Sequence, residues 1–391
     1  MKRMLHRLAS PILTAAIAAG AIGAGAAEKE PPLYRRAVEL KIPAKGPTPT
    51  LEKVLAQINN IAISPDGRWL AATGSASYRQ VFIFDITTRK LARTLLMSTS
   101  GNGALSFLRD SRHILASPAV LPKDANTIAA GVWDIETGQE VAQLLLPEKD
   151  HPGLVAQRFA VSRNGNHVAM LVRHVEVYET KNWTRIASTS GIPDKDWKSR
   201  YAHGKPPAAT KFGFALDGDR LVIGGTDGAF RVWNFKTGQI ERVVDAFKHL
   251  ASVKELAVSP DGRRAAATGA AAYFADNRLV SYGSWLKVFD LVTGELLAAS
   301  DQREGTISSL AYSPDGKYVF LTGGTEKKKY NHIVRTTDAS IAMEFDPPRF
   351  LERSSAFSED GKYLAIGGQQ SILICERVER QGNSKPNVTG R

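Results

Sequence analysis

The sequence predicts an all-β chain of seven four-stranded antiparallel units, and three observations carry that prediction. A turn of the form Ser-Pro-Asp-Gly recurs between short apolar runs, at Ile61-Ala-Ile-Ser-Pro-Asp-Gly67, Leu256-Ala-Val-Ser-Pro-Asp-Gly262 and Leu310-Ala-Tyr-Ser-Pro-Asp-Gly316. Altered copies stand at Phe107-Leu-Arg-Asp-Ser111, Val161-Ser-Arg-Asn-Gly165, Phe214-Ala-Leu-Asp-Gly218 and Phe357-Ser-Glu-Asp-Gly361. The Asp or Asn of these turns falls at 66, 110, 164, 217, 261, 315 and 360, with spacings of 44, 54, 53, 44, 54 and 45. A third apolar run follows each turn, and several of these runs end in an aromatic residue and an acid.

Taken in order, Met1-Lys-Arg-Met-Leu-His-Arg7 is a basic start, Leu8 to Ile22 is Ala-rich and apolar, and Ala24-Gly-Ala26 offers small residues for cleavage. That pattern is an export leader, 1–26, so a periplasmic or secreted protein is expected. The segment 27–50 reads as a linker, except that Arg36-Ala-Val-Glu-Leu-Lys-Ile42 alternates as a strand does. The repeats occupy 51–380 and a polar tail 381–391. In the Ser-Pro-Asp-Gly copies Pro fixes φ at the first corner, Asp bonds its own backbone and Gly tolerates the positive φ that follows. The third runs, among them Val81-Phe-Ile-Phe-Asp85, Gly131-Val-Trp-Asp134 and Lys287-Val-Phe-Asp290, carry apolar side chains on both strand faces, which predicts packing on both sides. Thr137-Gly138, Thr237-Gly238 and Thr293-Gly294 then turn the chain into a fourth strand.

Four-stranded units of about 44 residues with Trp133-Asp134 and the variants Trp233-Asn234, Phe289-Asp290 and Phe84-Asp85 resemble the blades of a WD-repeat β-propeller. The Gly-His that opens each blade in that family is missing, so the resemblance is to degenerate repeats, without the family's polar tetrad. It implies seven blades, with Arg36 to Ile42 closing the last one because only a polar tail follows Cys375. It also implies that the second-to-third-strand loops and the blade-to-blade loops share one face, with the tight turns on the other. The extra length, at 117–130, 190–208, 270–285 and 325–331, all falls on the first face.

That face is the predicted binding site, because its loops mix aromatic and basic residues, the types that most often carry interface energy. The candidates are Trp197, Lys198, Arg200, Tyr201, Tyr273, Phe274, Tyr282, Trp285, Lys327, Lys328, Lys329 and Tyr330. The net charge of +12, about +9 without Lys2, Arg3 and Arg7, suits an acidic protein or an anionic envelope polymer. Nucleic acid is not expected for an exported protein. His151, His174, His203, His249 and His332 fall in or beside these loops, but no short ligand spacing links them, so no metal and no cofactor is expected. No Gly-x-Ser-x-Gly, Walker loop or His-Glu-x-x-His is present. The reading is a monomeric, non-catalytic scaffold, and the alternative is a lactonase-like or metal-dependent hydrolase with its site in the central funnel. Cys375 is the single cysteine and reads as a small buried side chain.

Overall fold

The computed structural model describes residues 33–43, 58–74, 80–97, 104–116, 128–146, 156–191, 208–215, 218–247, 252–275, 278–325, 327–345 and 354–379, with the backbone alone at 128, 191 and 271–282. The chain divides into Met1–Pro32, outside those residues, and Leu33–Arg391. The expected leader and tail therefore lie outside the described residues.

After β1 (Tyr34–Lys41), blade one is β2 (Ile58–Ile63), β3 (Trp69–Gly74), β4 (Gln80–Asp85) and β5 (Lys90–Leu96). Blade two is β6 (Ser106–Phe107), β7 (His113–Ala116), β8 (Ile128–Asp134) and β9 (Glu140–Leu145). Blade three is β10 (Arg158–Val161), β11 (His167–Leu171), β12 (Val175–Glu179) and β13 (Arg185–Ser188). Blade four is β14 (Ala209–Phe214), β15 (Arg220–Gly225), β16 (Phe230–Asn234) and β17 (Gln239–Val244). Blade five is β18 (Ser252–Val258), β19 (Arg264–Ala275), β20 (Arg278–Asp290) and β21 (Leu296–Ala299), with the short β22 (Arg303–Glu304) paired to β20. Blade six is β23 (Thr306–Tyr312), β24 (Tyr318–Gly324), β25 (Lys329–Arg335) and β26 (Ile341–Phe345). Blade seven is β27 (Ser354–Phe357), β28 (Tyr363–Gly367) and β29 (Ser371–Arg377), and its fourth strand is β1. The inner strands β2, β6, β10, β14, β18, β23 and β27 touch in that order, and β27 touches β2, so the ring closes.

Local chemistry sets each turn. In blade six Ser313 Oγ donates to Asp315 Oδ1 at 2.6 Å and accepts the N–H of Tyr318 at 3.0 Å, while Asp315 Oδ1 accepts the N–H of Lys317 at 3.1 Å. Gly316, at φ 66°, completes the turn. Blade two has Ser111 at the same place, at φ 60°, and its Oγ accepts the N–H of Asp66 in blade one at 2.9 Å. The acid that ends the third strand has a matching role: Asp290 Oδ1 accepts the N–H groups of Val292 and Thr293, each at 2.7 Å. That bond explains the aromatic-acid signature as turn chemistry.

There is no single core. Seven apolar clusters each join two consecutive blades. Alternate residues of a third strand serve different neighbours: Phe82 and Phe84 pack toward blade seven, and Ile83 packs toward blade two. This is why those strands are apolar on both faces. In blade four Asp227 pairs with Arg231 at 2.6 Å, with both side chains buried, while Trp233 Nε1 is buried with no hydrogen-bond partner among the described residues.

The closing strand starts two residues before the expected Arg36 and ends one before Ile42. It pairs antiparallel with β29 from Tyr34 opposite Arg377 to Lys41 opposite Ser371. Tyr34 Oη donates to the carbonyl of Gly361 at 2.7 Å, and burial pushes the phenol up to about 12. Cys375 is fully buried beside this clasp. One expectation is corrected: the blade-five stretch 270–285 belongs to two long strands, not to an irregular loop. The β-prone Tyr, Phe, Leu and Val of 273–280 continue the ladder with only two residues, 276 and 277, between the strands.

Candidate interaction face

The elaborated face is best described between blades five and six. Trp197, Lys198, Arg200 and Tyr201 lie outside the described residues. Tyr273, Phe274 and Tyr282 belong to the β19–β20 hairpin, with Tyr273 opposite Ser281, Phe274 opposite Leu279 and Ala272 opposite Tyr282. β22 pairs with β20 at Gly283 and Ser284 and braces the base of this hairpin. Trp285 sits one residue further in, half-buried against the core shared by blades four and five. Lys327 and Lys328 are exposed in the turn between β24 and β25, which Thr325 closes by donating its N–H to the carbonyl of Lys328 at 2.7 Å.

Lys329 and Tyr330 are already in β25. Lys329 is half-buried. Tyr330, expected on the exposed face, is instead 8% exposed and stacks on His332 with centroids 5.2 Å apart. It follows the apolar side of the strand into the interface between blades. Arg303, in the connection between blades five and six, reaches both rings: its Nη1 donates to His332 Nδ1 at 2.8 Å, and its guanidinium lies 5.8 Å from the Tyr330 centroid. The connection can lie this close because Gly305, at φ 86°, has no side chain; a Cβ there would stand 2.3 Å from the carbonyl of Gly324. Burial first, then the Arg303 charge, lowers the His332 pKa to about 4, so the ring is neutral. Sequence reading missed Arg303 because nothing local marks it.

The inner strands place a second set of polar groups around the channel. Arg158 of blade three donates to Asn60 of blade one at 3.2 Å, Lys211 pairs with Glu255 at 2.6 Å, and Ser309 meets Ser355 at 2.7 Å. Burial holds the Lys211 ammonium below its usual range, against the pull of Glu255. Among the described residues no group of three His, Cys, Asp or Glu is placed to hold a metal ion. His151, His203 and His249 lie outside the described residues.

At the opposite, tight-turn end, the second residue of two Ser-Pro-Asp-Gly units stands at the channel mouth. Pro260 and Pro314 line a cavity of about 480 Å³ there, and the altered turns put Arg109, Arg163 and Glu359 in the same position. Arg109 and Glu359 form a two-point ion pair across blade one, with Nη2 to Oε2 at 2.9 Å. Arg163 Nη1 donates to the Pro260 carbonyl at 2.5 Å across blade four. The signal was in the sequence as three charged departures from proline, read there only as weakened turns.

Residues 50–85, which hold β2, β3 and β4 of blade one, match the WD domain, G-beta repeat family. The chain is 32% identical over 124 residues to Tricorn protease homolog 1 of Streptomyces coelicolor, a match covering 32% of this chain and 10% of that protein. The chain thus spans about a tenth of that relative's length. Its fold is similar to the β-propeller domain of Cps50 (Swd1) from Myceliophteria thermophila, with a TM-score of 0.63 and 15% identity over 88% of this chain and 100% of that domain. Seven four-stranded blades closed into a ring make this chain a seven-bladed β-propeller, and the stretch 50–85 of its first blade is similar to a WD repeat.

Proposed function

We propose that this propeller is an exported, non-catalytic scaffold that holds an acidic protein partner on its elaborated face, with the blade-five hairpin as the principal contact. Propellers of the WD-repeat kind commonly bind protein partners. The observation that carries the reading is the hairpin: β19 and β20 run 12 and 13 residues, whereas every other described strand has 8 or fewer. A two-stranded ribbon is at best marginal by itself in water, and the four pairs from Ala272–Tyr282 to Ala275–Arg278 lie beyond both partner strands, β18 and β22. Contact with another molecule gives such an extension a use. Lys327 and Lys328 add exposed positive charge on the same face, which supports an acidic partner.

The test uses the mature protein as bait in envelope extract of its own organism, beside a variant with residues 272–282 replaced by a two-residue turn. The expected result is an acidic protein retained by the first and lost with the second. Equal retention by both overturns the hairpin as the contact, and retention of an anionic polymer in place of a protein replaces the partner class. Hydrolysis of a lactone by the purified protein would restore the enzyme reading. Export is tested by sequencing the N-terminus of protein recovered from the periplasm, expected near Ala27 or Glu28.

A further inference from the structure

The cavity at the tight-turn mouth lies on the face opposite the hairpin and is built as an apolar cup with a charged rim. Consecutive inner strands of blades four to seven line it with the residue just before the turn's first position: Phe214, Val258, Tyr312 and Phe357. Phe214, Val258 and Phe357 are half-buried: each packs partly against an inter-blade core and leaves part of its apolar surface on the cavity. At the rim, Arg109 is neutralised by Glu359, whereas Arg163 donates only to a neutral carbonyl, and no acidic group among the described residues pairs with it. Among the described residues the rim therefore carries one arginine without an acidic partner beside an apolar wall.

We propose that this mouth binds a small amphiphile with one anionic head, its apolar body in the cup and its head on Arg163. An anion in place of the carbonyl gives Arg163 a charge-assisted bond, roughly twice as strong as a neutral one. The carboxylate of Glu359 at the same rim disfavours a second negative charge, which selects single-headed ligands over polyanions. Its pair with Arg109 is half-exposed, the kind of ion pair that costs little to open.

The experiment titrates the purified protein with 8-anilinonaphthalene-1-sulfonate, an apolar fluorescent anion, and with its neutral counterpart N-phenyl-1-naphthylamine. The expected result is one saturable site that prefers the anion at least tenfold. Arg163→Gln removes that preference and leaves the neutral probe's affinity unchanged. Glu359→Gln frees Arg109 and tightens the anion several-fold. Thermal melts of both variants within a few degrees of the parent confirm that the ring is intact. Equal affinity of the parent for the two probes, or unchanged anion affinity in Arg163→Gln, overturns the site. Displacement of the bound anion by octanoate or by octyl sulfate identifies the head group, and displacement by neither also overturns it.

Discussion

Arg303 donates to Nδ1 of His332 across 2.8 Å, and because a guanidinium can only donate, that nitrogen must be free of a proton. Protonating the imidazole would break the bond and place two cations in contact. His332 Nε2 faces Glu344 Oε1 at 3.5 Å, which pulls the other way, while Lys328 adds to the repulsion.

This pair predicts a loss of stability in mild acid. The unfolded chain protonates this histidine near 6.5 and the folded one only near 4, so stability is full above pH 6.5 and falls progressively toward pH 4. The loss reaches up to about 3 kcal/mol. Urea midpoints at pH 7.5, 6, 5 and 4.5 should drop steadily in the parent and much less in His332→Gln. Parallel curves would refute the assignment.

A second window lies lower. Asp134 is held at about 2, first by the bond from Arg112, then by the N–H groups of Thr137 and Glu136. Its contribution is present above pH 3.8 and is lost as pH falls toward 2. Asn at this position can still cap the turn through Oδ1 but weakens the Arg112 bond. Asp134→Asn should cost about 1 kcal/mol at pH 7 and flatten the profile below pH 4, as read by chemical denaturation.

The buried pair in blade four makes a sharper mutational prediction. Side chains of Asp227 and Arg231 are 2% and 3% exposed, so Asp227→Ala takes the carboxylate away from a buried cation. The cost should be about 3–5 kcal/mol, and the double change Asp227→Ala with Arg231→Met should recover most of it. A single-variant loss below about 1 kcal/mol would mean that water reaches the guanidinium.

Much of this architecture was legible because it is local. Turn residues such as Ser313, Asp315 and Gly316 act on their own backbone, so seven copies announce seven blades, and an unfilled place after Cys375 announces a closing strand. Contacts between blades were not legible. Arg109 and Glu359 are 250 residues apart, and no spacing in the chain says that their turns share one mouth. The same holds for Arg303 against His332, and for Tyr330, whose side of β25 depends on which neighbour that strand packs against. The hairpin was misread because Tyr273, Phe274 and Tyr282 looked like loop anchors, although their β propensity was the better guide.

Shortening that hairpin separates its two possible roles. Replacing residues 272–282 with a two-residue turn leaves in place every inter-blade core residue whose side chain is described. The melting temperature should stay within about 3 °C, corresponding to less than about 1 kcal/mol for a chain of this size. A fall of 10 °C would assign the hairpin to stability.

The clasp is testable by one atom. Tyr34→Phe removes the bond to the Gly361 carbonyl and should cost about 1 kcal/mol. Deleting 33–41 should do far more: β29 becomes a free edge, and size-exclusion chromatography should show aggregates.

The two partners in that clasp are 327 residues apart along the chain, so the ring cannot close until synthesis has passed through blade seven. At ~5–20 residues per second, β1 waits roughly 16–65 s for β29. During that interval the nascent chain carries an unmated N-terminal strand while the blades behind it form one after another. The charges along it, Arg35, Arg36, Glu39 and Lys41, discourage pairing with a neighbouring chain on the same polysome.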